Sequence, residues 1–132
     1  MNANKAIVAG AVSMAVAVGL GAFGAHGLKD QLLQSDTLEI WHTDVRYEAW
    51  HALALVLLGQ LTLVPERRNQ GRVVGWLLLL GSLLFSGSLF ALALAPSATW
   101  LGPVTPLGGA LLIASWLGFA RLGLTLSNPG AR

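Results

Sequence analysis

At 132 residues the chain is one domain's worth, and it is 55% hydrophobic but only 11% charged, far below the roughly 25% charged of ordinary soluble domains. So small a chain has too much surface per volume to hide that apolar content in its own interior, so lipid must solvate part of it. A net charge of +2 without a basic stripe excludes a nucleic-acid partner, and the absence of cysteine excludes disulfides, thiol catalysis and cysteine metal sites.

A helix needs about 20 mostly apolar residues to cross a hydrocarbon core of about 30 Å. Four segments meet or approach this. The first, Ala6–Ala25, is uncharged. It is too long for a typical leader peptide and reads as a retained span. Ala6, Gly10, Ser13, Ala17, Gly21 and Gly24 advance along it in steps of four and three, giving one smooth stripe. A second stripe runs through Ala11, Ala15, Gly19 and Ala22 to His26. Small residues let membrane helices approach closely, so two such stripes predict a central helix touching two neighbours.

In the link Lys29–Arg46, Asp36 with Glu39 three positions later resembles a capping box. The spacing predicts a helix starting near Thr37 and running along the interface through Leu38, Trp41 and Val45. It then enters the bilayer as a second span over residues 47–64. A tight polar turn, Pro65–Arg72, leads to the third span, Val73–Ala95, where Gly75, Ser82, Ser86 and Ala93 line another small face. After the break Pro96–Pro103, Thr105 reads as the cap and Pro106 as the first residue of a fourth span. That span covers residues 105–122 and extends past Arg121 toward Leu126, with Gly108 and Gly109 in its first turns.

Positive residues choose the side. With the amino terminus in the cytoplasm, Lys5, Arg67, Arg68, Arg72, Arg121 and Arg132 lie inside, and only Lys29 and Arg46 outside. The acids sort oppositely: Asp30, Asp36, Glu39, Asp44 and Glu48 outside, Glu66 inside. The expectation is an all-α, four-helix bundle of the bacterial inner membrane, with both termini cytoplasmic and an interfacial helical extension before the second span. Arg67, Arg68, Arg72 and Arg121 read as orientation anchors; binding of anionic headgroups is the rival account of Arg67, Arg68 and Arg72.

His26 closes the first span and His51 opens the second on the same side, with Tyr47 and Glu48 a turn away from His51. This is the plausible polar constellation. Its simplest role is to clamp the first two helices at the water boundary. Metal or haem ligation by His26 and His51 is the alternative, weakened by the lack of a tight ligand spacing. No ionisable residue reads as deep in the membrane, which argues against a proton pump. No serine sits in a nucleophile elbow and no glycine run forms a phosphate loop, so no catalytic residue is assigned and no cofactor is expected. The expected partners are the lipid bilayer and either a second copy or a larger membrane complex. An oligomeric pore lined by serines such as Ser82 and Ser86 is a third possibility.

The stretches GAFGAHGL (21–28), YEAWHALAL (47–55), GSLFALAL (87–94) and GPVTPLGGALLIASW (102–116) resemble the small membrane proteins of domain-of-unknown-function family 423, which includes the eukaryotic transmembrane protein 256. Phe90 stands where that family often has tyrosine, and Ser115 where glycine is usual. The resemblance implies a four-helix membrane protein without a settled activity. It highlights His26, Tyr47, His51, Thr105, Pro106, Gly108 and Gly109.

Overall fold

The computed structural model describes residues 1–124; Leu126 and Arg132, which entered the reading of the last span and of the inner charge, lie outside the described residues. The helices are α1 (Ala3–Ala25), α2 (Lys29–Gln34), α3 (Leu38–Leu61), α4 (Arg68–Leu94) and α5 (Val104–Leu124), with short 3-10 turns at Pro65–Arg67 and Thr99–Leu101. Three of them are long and apolar enough to cross a membrane: α1, α4 with its leading turn, and α5 with its leading turn. The fourth long helix, α3, has 24 residues, about 36 Å at the α-helical rise of 1.5 Å per residue. Its first half, however, carries Glu39, Asp44, Arg46 and Glu48.

Short connections force successive long helices to run antiparallel, and the contacts give the register. On the α1–α3 seam Gly24 lies under Trp41, Gly10 against Ala52 and Val56, and Gly59 against Ala3 and Ile7. Across α3–α4, Thr37 meets Ala93, Glu48 meets Ser82 and Thr62 meets Gly71. Across α4–α5, Phe85 sits over Gly108, Gly81 against Leu112 and Val74 against Gly118. The long helices therefore pack as a row, α1 on α3, α3 on α4 and α4 on α5. This register gathers Lys5, Arg67, Arg68, Arg72 and Arg121 at one end of the molecule and Lys29, Asp30, Asp36 and Glu39 at the other.

Two glycines are dictated by close approach. A Cβ on Gly24 would overlap the Trp41 indole, and one on Gly108 would overlap the Phe85 backbone. Both positions need the smallest residue for the helices to touch. The predicted small faces divide accordingly. Ala6, Gly10, Ala17 and Gly24 are buried on the α3 seam; Gly75, Ser82, Ser86 and Ala93 are buried on α4. The second stripe of α1 does not behave as expected. Ala11, Ala15 and Ala22 are exposed, and a Cβ on Gly19 would meet nothing within 4 Å. So α1 is peripheral, not central.

Residues 38–46 also depart from the sequence reading. The helix starts where the spacing places it, with Thr37 as its cap, but residues 38–46 pack into the row as the first half of the continuous helix α3. Trp41 is 1% exposed, donates from its indole Nε1 to Leu20 O at 2.9 Å, and meets Phe90 edge-on at a centroid distance of 4.8 Å. The capping box does not form: Thr37 caps α3 without a side-chain bond. Asp36 instead closes α2, adopting φ 55°, with its own N–H on Leu33 O and the Thr37 N–H on Leu32 O. That is a left-handed helix stop of a kind aspartate tolerates. Thr105 is likewise not a cap, since α5 already begins at Val104.

The apolar core comes in separate clusters. Leu32, Trp41 and Ala93 form one, with Leu20, Leu28 and Phe90 against it. Ala6, Ala54, Leu55, Leu78 and Leu112 form another. Leu58, Val74 and Leu122 close the basic end. Between the Trp41 cluster and the Leu55 cluster, α3 turns polar.

Candidate functional site

On α3 the residues Trp41, Asp44, Glu48, His51, Leu55 and Leu58 recur every three or four positions and are all buried. They form one helical stripe. Its middle part is ionisable, and that part faces the serines of α4. Ser82 Oγ donates to Glu48 Oε2 at 2.8 Å. Ser82 lies next to the midpoint of the 27-residue helix α4, so Glu48 sits about 20 Å from either end of that helix. Asp44 and Glu48, counted by sequence among the outer-side charges, are thus buried between helices.

One turn along, Asp44 stands beside Ser86 in the same antiparallel register. Asp44 is 0% exposed, and its carboxyl reaches the Ser86 hydroxyl and the Phe90 backbone without full hydrogen-bond geometry at either. An unpaired buried polar atom costs on the order of 1–3 kcal/mol, so this is the energetic weak point of the layer. The next turn the other way holds His51. Its Nδ1 lies 2.7 Å from Tyr47 O on its own helix, and its ring meets Trp116 of α5 at 6.2 Å.

The sequence-level cluster therefore assembles only in part. Tyr47, Glu48 and His51 share α3, with the Tyr47 ring at 5.2 Å from Phe85 and 6.1 Å from His51. His26 stands apart, exposed at the end of α1 with its backbone N–H on Ala22 O and Phe23 O. It lies just beyond the Gly24–Trp41 level, and His51 is ten residues further along α3, about 15 Å. The two imidazoles do not converge, so they offer no shared ligand set. Among the described residues no three of His, Cys, Asp or Glu are grouped as a metal site would need. What the layer shows is hydrogen bonding between helices, with Glu48 of α3 accepting from Ser82 of α4.

Further hydroxyls tie the row together. Thr37 Oγ1 donates to Ala93 O at 2.8 Å, and Ser88 Oγ lies 2.7 Å from Thr105 Oγ1 across α4–α5. Ser115 Oγ instead donates to Leu112 O of its own helix at 2.7 Å, as serines in apolar surroundings commonly do. Sequence reasoning missed Asp44 and the Trp41 bond. The signal was present, because both occupy the same stripe as Leu55 and Leu58, at helical spacing.

Gly108 and Gly109 begin α5 beside Phe85, with a Cβ on Gly109 at ordinary contact distance from its ring. Gly21 faces Val45 on the α1–α3 seam.

The family model "Protein of unknown function (DUF423)" matches residues 20–109, a stretch that includes the whole polar layer. The UPF0382 membrane protein YwdK of Bacillus subtilis is 42% identical over 111 residues, covering 84% of this chain and 89% of that protein. A UPF0382 membrane protein of Staphylococcus haemolyticus is 41% identical over 84% of this chain and 88% of its own. One from Schizosaccharomyces pombe is 37% identical over 76% of this chain and 86% of its own. No solved structure matches. With the motifs, the helix pattern and these relatives in agreement, the chain belongs to the DUF423 family of small membrane proteins.

Proposed function

We propose that this is a non-enzymatic accessory protein of the bacterial inner membrane, crossing it four times with both termini in the cytoplasm, and acting by packing against another membrane helix. The observation that carries this reading is the outer stripe of α1. Ala11, Ala15, Gly19 and Ala22 line a smooth face that nothing in the row covers. In lipid, apolar helices gain little from burying leucine, and associate where small residues let backbones come close. α1 already shows this on its other side, where Gly10 and Gly24 seat α3.

Spanning by α3 is supported by its length and by the burial of its acids between α1 and α4. The inward amino terminus is supported by Lys5, Arg67, Arg68, Arg72 and Arg121 collecting at one end. The partner is a larger membrane complex or a second copy of this chain. Affinity purification from native membranes at endogenous expression tests the reading, comparing the wild type with Ala15→Leu/Gly19→Leu. The wild type should bring down a membrane partner or itself, and the variant should lose it while keeping its detergent melting temperature. Identical eluates from the two would overturn the role of this face.

A further inference from the structure

A cavity of about 640 Å³ opens at the basic end of the row, where α1 begins, α3 ends and α4 begins; Lys5, Arg68, Arg72, Asn69 and Trp76 contribute to its wall. It contains three cationic side chains and no acidic one. Among the described residues none of these three side chains is ion-paired or hydrogen-bonded. The backbone adds to the same sign. The Asn2 side chain takes the Lys5 N–H at 2.8 Å, while the N–H groups of Ala3 and Asn4, also at the cavity, have no partner among the described residues. A helix start of this kind carries a partial positive charge. Trp76 is 46% exposed at the rim, and tryptophan is enriched where membrane proteins meet headgroups.

Orientation alone would need these charges somewhere near the end of the helices, as at Arg67 and Arg121. It would not need Lys5, Arg68 and Arg72 from two helices to enclose one space. We propose that this cavity binds a phosphate group, as carried by an anionic glycerophospholipid of the facing leaflet, with Arg68 and Arg72 as the forked donors and Lys5 as the point charge. Arginine presents paired donors that match a phosphate, and lysine adds a compact charge. The lipid's acyl chains would lie along the apolar outer surface beside Trp76.

The test uses the full-length protein in phosphatidylcholine nanodiscs, with phosphatidylglycerol added in one arm and inorganic phosphate in the other. Bound lipid is read by native mass spectrometry, and the melting temperature is followed in both arms. The wild type should retain phosphatidylglycerol and melt higher with it. Arg68→Gln/Arg72→Gln should retain it at least about tenfold more weakly. Arg121→Gln, at the same end but outside the cavity, should behave as wild type. Stabilisation by inorganic phosphate alone, lost in the double variant, would keep the phosphate site but make its source soluble. Equal phosphatidylglycerol retention by all three proteins would overturn the proposal. The melting temperatures in phosphatidylcholine alone show whether the variants fold.

Discussion

The Ser82 hydroxyl donates a hydrogen bond to Glu48 Oε2 at 2.8 Å, next to the midpoint of α4. A double-mutant cycle on this pair, Glu48→Leu with Ser82→Ala, should show a coupling between about 0.6 kcal/mol, the average for hydrogen bonds between membrane helices, and about 1.7 kcal/mol, their maximum. Glu48→Gln should cost little, because its amide oxygen still accepts. The check is reversible unfolding in detergent. Additive single effects would mean that the bond does not tie α3 to α4.

Asp44 should respond in the opposite direction. Its buried oxygens meet Ser86 and the Phe90 backbone only in poor geometry, so neutralising the carboxylate relieves more cost than it forfeits in contacts. Asp44→Asn should raise the detergent melting temperature at neutral pH, corresponding to about 1 kcal/mol. A clear loss of stability would show that a water or an ion completes the site in solution.

The α1 seam separates glycines that touch from glycines that do not. A Cβ on Gly10 would lie 2.5 Å from Ala52 O, so Gly10→Ala must push the helices apart and should cost about 1–3 kcal/mol. Gly19→Ala meets open space and should be neutral or stabilising by up to about 1 kcal/mol, from helix propensity alone. Thermal melting of the two purified variants decides this.

Topology can be read by adding single cysteines, since the chain has none. In intact cells a membrane-impermeant maleimide should label Ser97→Cys, in the α4–α5 connection. Asn69→Cys, in the first turn of α4, should react only after lysis. The reverse pattern would place the amino terminus outside.

His51→Leu should destabilise by about 1 kcal/mol or more, because His51 is 5% exposed and packs beside Trp116. His26→Ala, at an exposed helix end, should stay within about 0.5 kcal/mol of wild type. His42→Ala should cost less than His51→Leu. Equal melting temperatures for the His51 and His42 variants would dispose of the packing role.

The long helices and their antiparallel order were legible because apolar length and polar turns are local properties of the chain. The stripe Ala6, Gly10, Ala17, Gly24 was legible for the same reason: its spacing alone marks one face. What spacing could not give is the neighbour, and so the second stripe of α1 was expected to be covered. The polar layer was misplaced for a different reason. Hydropathy sets a span's edge where charges stop, whereas α3 keeps Asp44 and Glu48 on its core face opposite Ser86 and Ser82. Only the α4 register shows that these carboxyls are buried between helices. His26 was grouped with His51 because both fall near span ends in sequence, yet α3 begins earlier than its apolar run and carries His51 about 15 Å inward of His26.

The facing of the α3 acids by α4 serines also has a consequence for biogenesis. When α3 leaves the ribosome, the hydroxyls that face its carboxyls have not yet been translated. On the proposed four-span topology, α3 would partition poorly into lipid alone and should linger at the translocon until α4 arrives to accompany it. A nascent chain stopped after Leu63 would expose that dependence, since its last helix would carry the two core-facing acids Asp44 and Glu48 without the α4 face that covers them.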